Sequence, residues 1–222
     1  MTEEQSATDI KIYHIIHVDR LDSVLKDGFL FCDAEMSHRQ NVGPTIGISN
    51  IKERRMLLKL SSFPDLTVGQ CVPFYFAPRS VMLYVIKCEN HPDLAYSNGQ
   101  EDILHLEFNL QKVLHWAQDN DLKTCYTTSN AGSRYFEDYS DFTKIKDNID
   151  WAAVNANQWS GTGIDKSVKE NKQAEFLIEN RIPIELLELV GVYNLQNYNK
   201  VNKILKGYNL SINVKQKVDW YY

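Results

Sequence analysis

Read from its first residues, the chain passes from a polar, acidic run (MTEEQSATD, residues 1–9) into a sequence of apolar segments separated by turn and cap residues. The polar run predicts a disordered lead-in. KIYHII (Lys11–Ile16) predicts a strand, and Asp19 is placed to cap a short helix, Leu21–Lys26, that stops at Gly28. Asn50–Leu60 predicts a charged helix whose apolar side is Leu57, Leu58 and Leu60. VMLYVIKC (Val81–Cys88) and Asp102–Phe108 predict strands, and Asn109 caps a helix running through Trp116. Lys123–Thr128 returns as a strand, SNAGSRYFEDY (Ser129–Tyr139) is a loop carrying aromatics, and Ile149–Trp159 has helical character. Beyond the apolar AEFLI (Ala174–Ile178), Pro183 opens a helix through Leu189. A strand (Val190–Asn194), a helix (Lys200–Lys206) and a last alternating strand (Leu210–Val218) complete the pattern.

Strands and helices mix without the strict βαβα alternation of a doubly wound parallel sheet, so the class is α+β. No GxGxxG follows a strand and no GxxxxGK[ST] occurs, which excludes the Rossmann and P-loop readings. No repeat, low-complexity tract or linker interrupts the chain, so residues 10–222 are expected to form a single domain.

Composition narrows the function. Hydrophobic residues make up 43% and charged residues 24% of 222 residues, the values of an ordinary soluble domain. The net charge of −5 excludes a generic nucleic-acid coat protein, because phosphate neutralisation supplies most non-specific affinity. Basic residues nonetheless cluster at Lys52, Arg54, Arg55 and Lys59, and again at Lys166, Lys169 and Lys172, each cluster readable as a solvated helix face or as a local anion site. Cys32, Cys71, Cys88 and Cys125 show no CxxC spacing and sit among apolar neighbours, so buried thiols in a reducing cytoplasm are expected, without zinc or disulfides. No apolar run is long enough to span a membrane, and the polar N-terminus does not read as a secretory signal.

Three segments carry candidate chemistry. Tyr13-His14-Ile15-Ile16-His17 sets a histidine inside an apolar strand. VPFYFAPRSVMLY (Val72–Tyr84) packs four aromatics, two prolines and one arginine into thirteen residues, a rigid extended segment from which Arg79 emerges beside aromatic faces. Such a surface suits base stacking. In QAEFLI, Glu175 stands inside an apolar run; turned toward a cleft, it is a candidate for stabilising a carbocation or for base catalysis.

Taken together, YHIIHVDRLDSVLKDGFL, IKERR, VPFYFAPRSVMLY, TTSNAGSRY leading to IDW, and QAEFLI resemble, in order and from Tyr13 to Gly191, the DarT family of bacterial toxins. These are the DNA ADP-ribosyltransferases of DarT–DarG toxin–antitoxin systems. Val81 stands where the family pattern has proline, and SGTGIDKSVKEN is less arginine-rich than that pattern, differences that bear on target preference. The resemblance implies an ADP-ribosyltransferase fold, a split β-sheet core with NAD+ in a central cleft. It also implies transfer of ADP-ribose from NAD+ to a base in single-stranded DNA, thymine favoured over guanine, with nicotinamide leaving and replication blocked. No metal is expected. On this resemblance Glu175 stabilises the ribosyl transition state, and Arg54, with Arg55 as the alternative, holds the diphosphate and helps draw a proton from the base. His14 holds a ribose hydroxyl, with Tyr13, Ile15 and His17 alongside. Tyr75, Arg79, Met82, Asn130, Ala131, Ser133, Arg134 and Phe136 hold the DNA. A DarG-type antitoxin is the implied protein partner, no membrane is involved, and the implied location is cytoplasmic.

Two other readings compete. The same fold and NAD+ could serve a protein or RNA acceptor, including an RNA phosphotransferase, but that enzyme would need several arginines on a phosphate, and a protein acceptor would not need the aromatic surface around Tyr75. A non-enzymatic module that kept the fold would have no use for the glutamate in QAEFLI.

Overall fold

The structure is a computed structural model that describes residues 9–39 and 43–222; of the lead-in expected over residues 1–9, all but Asp9 lies outside the described residues. Ten strands are described: β1 (Lys11–His17), β2 (Phe29–Phe31), β3 (Cys71–Tyr75), β4 (Ile103–Asn109), β5 (Thr124–Thr127), β6 (Asp138–Tyr139), β7 (Glu175–Glu179), β8 (Arg181–Pro183), β9 (Leu187–Val192) and β10 (Asn213–Gln216). The helices are α1 (Leu21–Asp27), α2 (Asp33–Met36), α3 (Ser49–Arg55), α4 (Val81–Cys88), α5 (Leu110–Asp119), α6 (Ile145–Asn148), α7 (Trp151–Asn155), α8 (Lys166–Asn171) and α9 (Leu195–Gly207). Eight strands form one sheet in the order β10-β9-β4-β1-β3-β7-β5-β6, and β2 pairs with β8 beside it.

The sheet is nearly two. β1 pairs with β4 along its whole length, from Lys11↔Asn109 to His17↔Ile103, and β3 pairs with β7 from Cys71↔Glu179 to Tyr75↔Glu175. Between β1 and β3 the register is a single pair, Tyr13↔Tyr75. Pro73 contributes to the gap, since it has no N–H to offer a ladder. The split core expected from the family resemblance is therefore present, and it opens beside His14, Ile15 and Pro73.

Burial follows the split. One face is covered by a continuous core that includes Ile12, Phe74, Phe108 and Phe176. On the other face two clusters stand apart: Tyr13, Ile15, Leu83, Ile103 and Trp220 on the β4 side, and Leu60, Val68, Cys71, Cys125 and Leu177 on the β7 side.

Several expected elements are revised. Val81–Cys88 is the helix α4, not a strand: Ser80 Oγ accepts the N–H of Leu83 at 3.1 Å, so an N-cap overrides the β-preference of a run buried at Val81, Leu83 and Ile86. The helix expected over Asn50–Leu60 is α3, ending at Arg55, because Leu60 is pulled into the β7-side cluster while Leu57 is left exposed. The helix expected from Pro183 is instead β8, a 3-10 turn at Ile184–Leu186 and β9. Asp19 does not cap α1; His17 Nδ1 accepts the Asp19 N–H at 3.1 Å and caps the preceding 3-10 turn. At the other end Gly28 takes φ 71°, the left-handed stop that the sequence marks. All four cysteines are free, but Cys88 is exposed rather than buried.

Candidate active site

Glu175 begins β7, and its carboxylate is tied on both oxygens. Arg55, the last residue of α3, donates from Nη1 to Oε1 at 3.1 Å and from Nη2 to Oε2 at 2.9 Å. The Ala131 N–H adds a bond to Oε1 at 3.2 Å. Both side chains are buried, with Glu175 4% and Arg55 8% exposed. Burial alone would push the Arg55 guanidinium down, but the Glu175 charge and hydrogen bonds more than offset this and raise it above its ordinary value. The main chain of Glu175 is fixed as well, its N–H bonding Thr127 Oγ1 at 3.1 Å. The loop that brings Ala131 here depends on Gly132: a Cβ at that position would stand 3.0 Å from both Asn130 Oδ1 and Ile51 Cγ2.

Arg55 of this pair lines the cleft between β1 and β3. The cleft is lined by His14 and Ile15 of β1, Pro73 and Tyr75 of β3, Phe29 and Phe31 of β2, Met36 of α2, Ile48, Ile51, Lys52 and Arg55 around α3, and Arg20 and Met82. Arg54 is exposed and does not line it. On α3, position 55 turns to Glu175 and the cleft, and position 54 faces away.

His14 closes the point where the sheet parts. Its Nδ1 lies 2.7 Å from the Pro73 carbonyl, which can only accept, so Nδ1 carries the hydrogen and Nε2 keeps a free lone pair. Burial lowers its pKa to about 4, leaving the ring neutral at physiological pH. Ile15 lines the cleft as expected from its neighbour's role. Tyr13 and His17 do not: Tyr13 packs edge-on against Trp220 with centroids 5.2 Å apart, and His17 is buried against Tyr96 while it caps the turn after β1.

Two further cations stand in the cleft wall: Arg20, which the residue patterns did not single out, and Lys52 of the basic cluster. Arg20 is partly buried, and its Nε is buried without a hydrogen-bond partner among the described residues. Lys52 reaches across to Asp33 at 2.6 Å. Arg20 precedes α1 as an ordinary first-turn residue, and no sequence signal marks it.

The residues expected at DNA separate into groups. Tyr75 and Met82 line the cleft, Tyr75 opposite Glu175 in register. Arg79 lies outside it, donating from Nη1 to Asn157 Oδ1 at 3.1 Å, with its guanidinium 4.5 Å over the ring of Tyr222. Beside it Lys172 is buried, donates to the Val154 carbonyl at 2.8 Å, and has a pKa pushed down to about 8 by burial and by the charge of Arg79. Lys169 lies 5.7 Å over the Trp159 ring. Of the basic cluster read as a helix face, one member therefore turns inward. In the loop, Arg134 and Tyr135 are exposed, Ser133 is half-buried, and Asn130 bonds Gln173. Ala131, expected at the DNA, is fully buried and contributes its N–H to Glu175 instead; Phe136 packs partly into the β7-side core.

Comparison with known proteins identifies the family and the fold. The family model described as "ssDNA thymidine ADP-ribosyltransferase, DarT" matches residues 13–222. A DNA ADP-ribosyl transferase of Thermus sp. (strain 2.9) is 33% identical over 95% of this chain and 95% of its own. Two solved structures of Thermus sp. 2.9 DarT superpose closely. One, in complex with ADP-ribosylated ssDNA, has a TM-score of 0.83 at 31% identity and covers 96% of each chain. The other, in complex with NAD+, has a TM-score of 0.78 at 29% identity and covers 96% of this chain and 98% of that one.

Proposed function

The chain belongs to the DarT family of ssDNA thymidine ADP-ribosyltransferases, and from that membership we propose which residues carry out the reaction. The enzyme transfers ADP-ribose from NAD+ to single-stranded DNA. Within that activity we assign thymine as the modified base, a DarG-type antitoxin as the protein partner and the cytoplasm as its location. No described helix is long and apolar enough to cross a membrane.

The observation that carries the assignment is the buried Arg55–Glu175 pair, whose arginine lines the split-sheet cleft. NAD+ supplies a ribosyl group activated by a cationic leaving group, so positive charge develops at the ribose carbon as nicotinamide departs. Glu175 is the carboxylate that meets this charge. Because three donors fix it beforehand, little reorganisation is needed at the moment of reaction. Arg55, not Arg54, is its partner. A guanidinium raised above its ordinary pKa does not serve as a base, so Arg55 orients the carboxylate and donates to the base edge, while Glu175 is the member of the pair able to take a proton.

The cleft suits the rest of NAD+. Arg20 and Lys52 face the diphosphate; Ile48 and Ile51 and the phenylalanines of β2 offer apolar walls; His14 Nε2 accepts from a ribose hydroxyl. On the acceptor side, Tyr75 and Met82 touch the base from the cleft, and Arg79 and the exposed Arg134 meet the strand. A few local cations of this kind reconcile strand binding with a net charge of −5.

The test is to incubate the protein with NAD+ and single-stranded oligonucleotides containing or lacking thymine, and to read the ADP-ribose mass shift and its position. Transfer confined to thymine-containing strands, absent with Glu175→Gln and weak on matched duplex, is the expected result. Labelling of thymine-free strands would overturn the base assignment, and an active Glu175→Gln would overturn the site.

A further inference from the structure

We propose that Tyr222 is a positioning residue for Arg79, fixing the turn that presents this arginine to the DNA strand. The inference rests on the reading above that Arg79 contacts the strand. Among the described residues Arg79 has no carboxylate partner, and its Nε is buried without one. What places the arginine is an aromatic strap.

The strap touches Arg79 twice. The Tyr222 ring lies under the guanidinium at 4.5 Å, and Tyr222 Oη donates to the Arg79 carbonyl at 2.9 Å. That hydroxyl also accepts from Trp159 Nε1 at 3.1 Å, so its orientation is set. The preceding carbonyl, of Pro78, accepts from His105 Nε2 at 2.9 Å. Two successive carbonyls of an irregular turn are thus held by side chains from remote parts of the chain.

Tyr222 is itself anchored. The Gln100 amide accepts from the Tyr222 N–H at 3.1 Å and donates to the Tyr222 carbonyl. Tyr221 Oη donates to the Ile103 carbonyl at 2.6 Å, and Trp220 lies so close over Gly191 that a Cβ there would come within 2.5 Å of its ring. The strap therefore runs from β4 and β9 to the turn after β3. A turn held in place before the strand arrives has less freedom to lose on binding.

The experiment is a double-mutant cycle on the full chain with Tyr222→Phe, Arg79→Ala and the pair together, measuring KM for a single-stranded oligonucleotide, KM for NAD+, kcat and Tm. Tyr222→Phe keeps the ring and removes the hydroxyl. The oligonucleotide KM is expected to rise roughly two- to tenfold, with kcat, the KM for NAD+ and Tm little changed. In the Arg79→Ala background the same change should add nothing. An equal rise with and without Arg79, or a rise in both KM values with a lowered Tm, would show a merely structural residue and overturn the proposal. If Arg79→Ala raises the oligonucleotide KM but Tyr222→Phe does not, only the positioning role falls. If Arg79→Ala itself has no effect, the strand-contact reading falls and the positioning role with it.

Discussion

Removing one member of the Arg55–Glu175 pair should cost far more stability than removing the neighbouring arginine. In Arg55→Ala the Glu175 carboxylate, 4% exposed, keeps only the Ala131 N–H as a donor. Breaking a buried ion pair from one side costs about 3–5 kcal/mol, because the remaining charge is stranded. At about 2–4 °C per kcal/mol for a domain of this size, the melting temperature should fall by roughly 6–20 °C. Arg54 is exposed, so Arg54→Ala should change stability by no more than about 0.5 kcal/mol, roughly 2 °C at most. Glu175→Ala strands the guanidinium in the same way, and the double variant should lose much less than the sum of the two, since the second removal takes away a charge already unpaired. Arg55→Lys keeps the charge but not the two-pronged contact at 3.1 and 2.9 Å, so it should recover little activity. Calorimetric melting of the wild type, Arg54→Ala, Arg55→Ala, Glu175→Ala and the double variant, with circular dichroism to confirm the fold and the oligonucleotide transfer assay for Arg55→Lys, gives the answer. Equal melting temperatures for Arg54→Ala and Arg55→Ala, or additive losses in the double variant, would refute the reasoning.

Much of this site could be read from the sequence because its segments are locally unusual. A glutamate inside AEFLI and a histidine inside KIYHII break apolar runs at a price that only a site or a satisfied polar network explains; His14 lines the cleft, and Glu175 is bonded to Arg55, which does. What could not be read was orientation. IKERR puts two arginines side by side, and which one faces the sheet depends on where α3 begins; Ile48, Ser49 and the apolar Ile51 give no cap strong enough to set that phase. The same limit explains Ala131: a loop sequence shows its residue types but not which backbone N–H points inward. Val81–Cys88 differs from the strand expected because a nearly all-apolar run has little period, and one hydroxyl at Ser80 decides between strand and helix. Tyr222 is held by a contact distant in sequence, with Gln100, and Arg20 lines the cleft from a position that no local pattern marks.

Further outcomes follow from individual contacts. Ser80→Ala removes the cap of α4 and should cost about 1 kcal/mol, seen as a melting temperature lower by roughly 2–4 °C; an unchanged value would mean that the cap bond contributes nothing. Gly191→Ala drives a Cβ to 2.5 Å from the Trp220 ring, so the ring must move, with a loss of about 1–3 kcal/mol and a shifted tryptophan emission; unaltered emission and stability would contradict the packing. The last outcome concerns acid. His105 is fully buried, and burial lowers its pKa to about 4, while in the unfolded chain it protonates near 6.5. Between these values the unfolded state binds the extra proton, so stability is present above about pH 6.5 and is lost as pH falls toward 4, by on the order of 3 kcal/mol. His14, lowered to about 4 by the same burial, adds in the same direction. Urea midpoints measured from pH 7 to pH 5, above the range where carboxylates titrate, should therefore fall steadily, and a flat profile would show that these histidines are not held neutral in the folded protein.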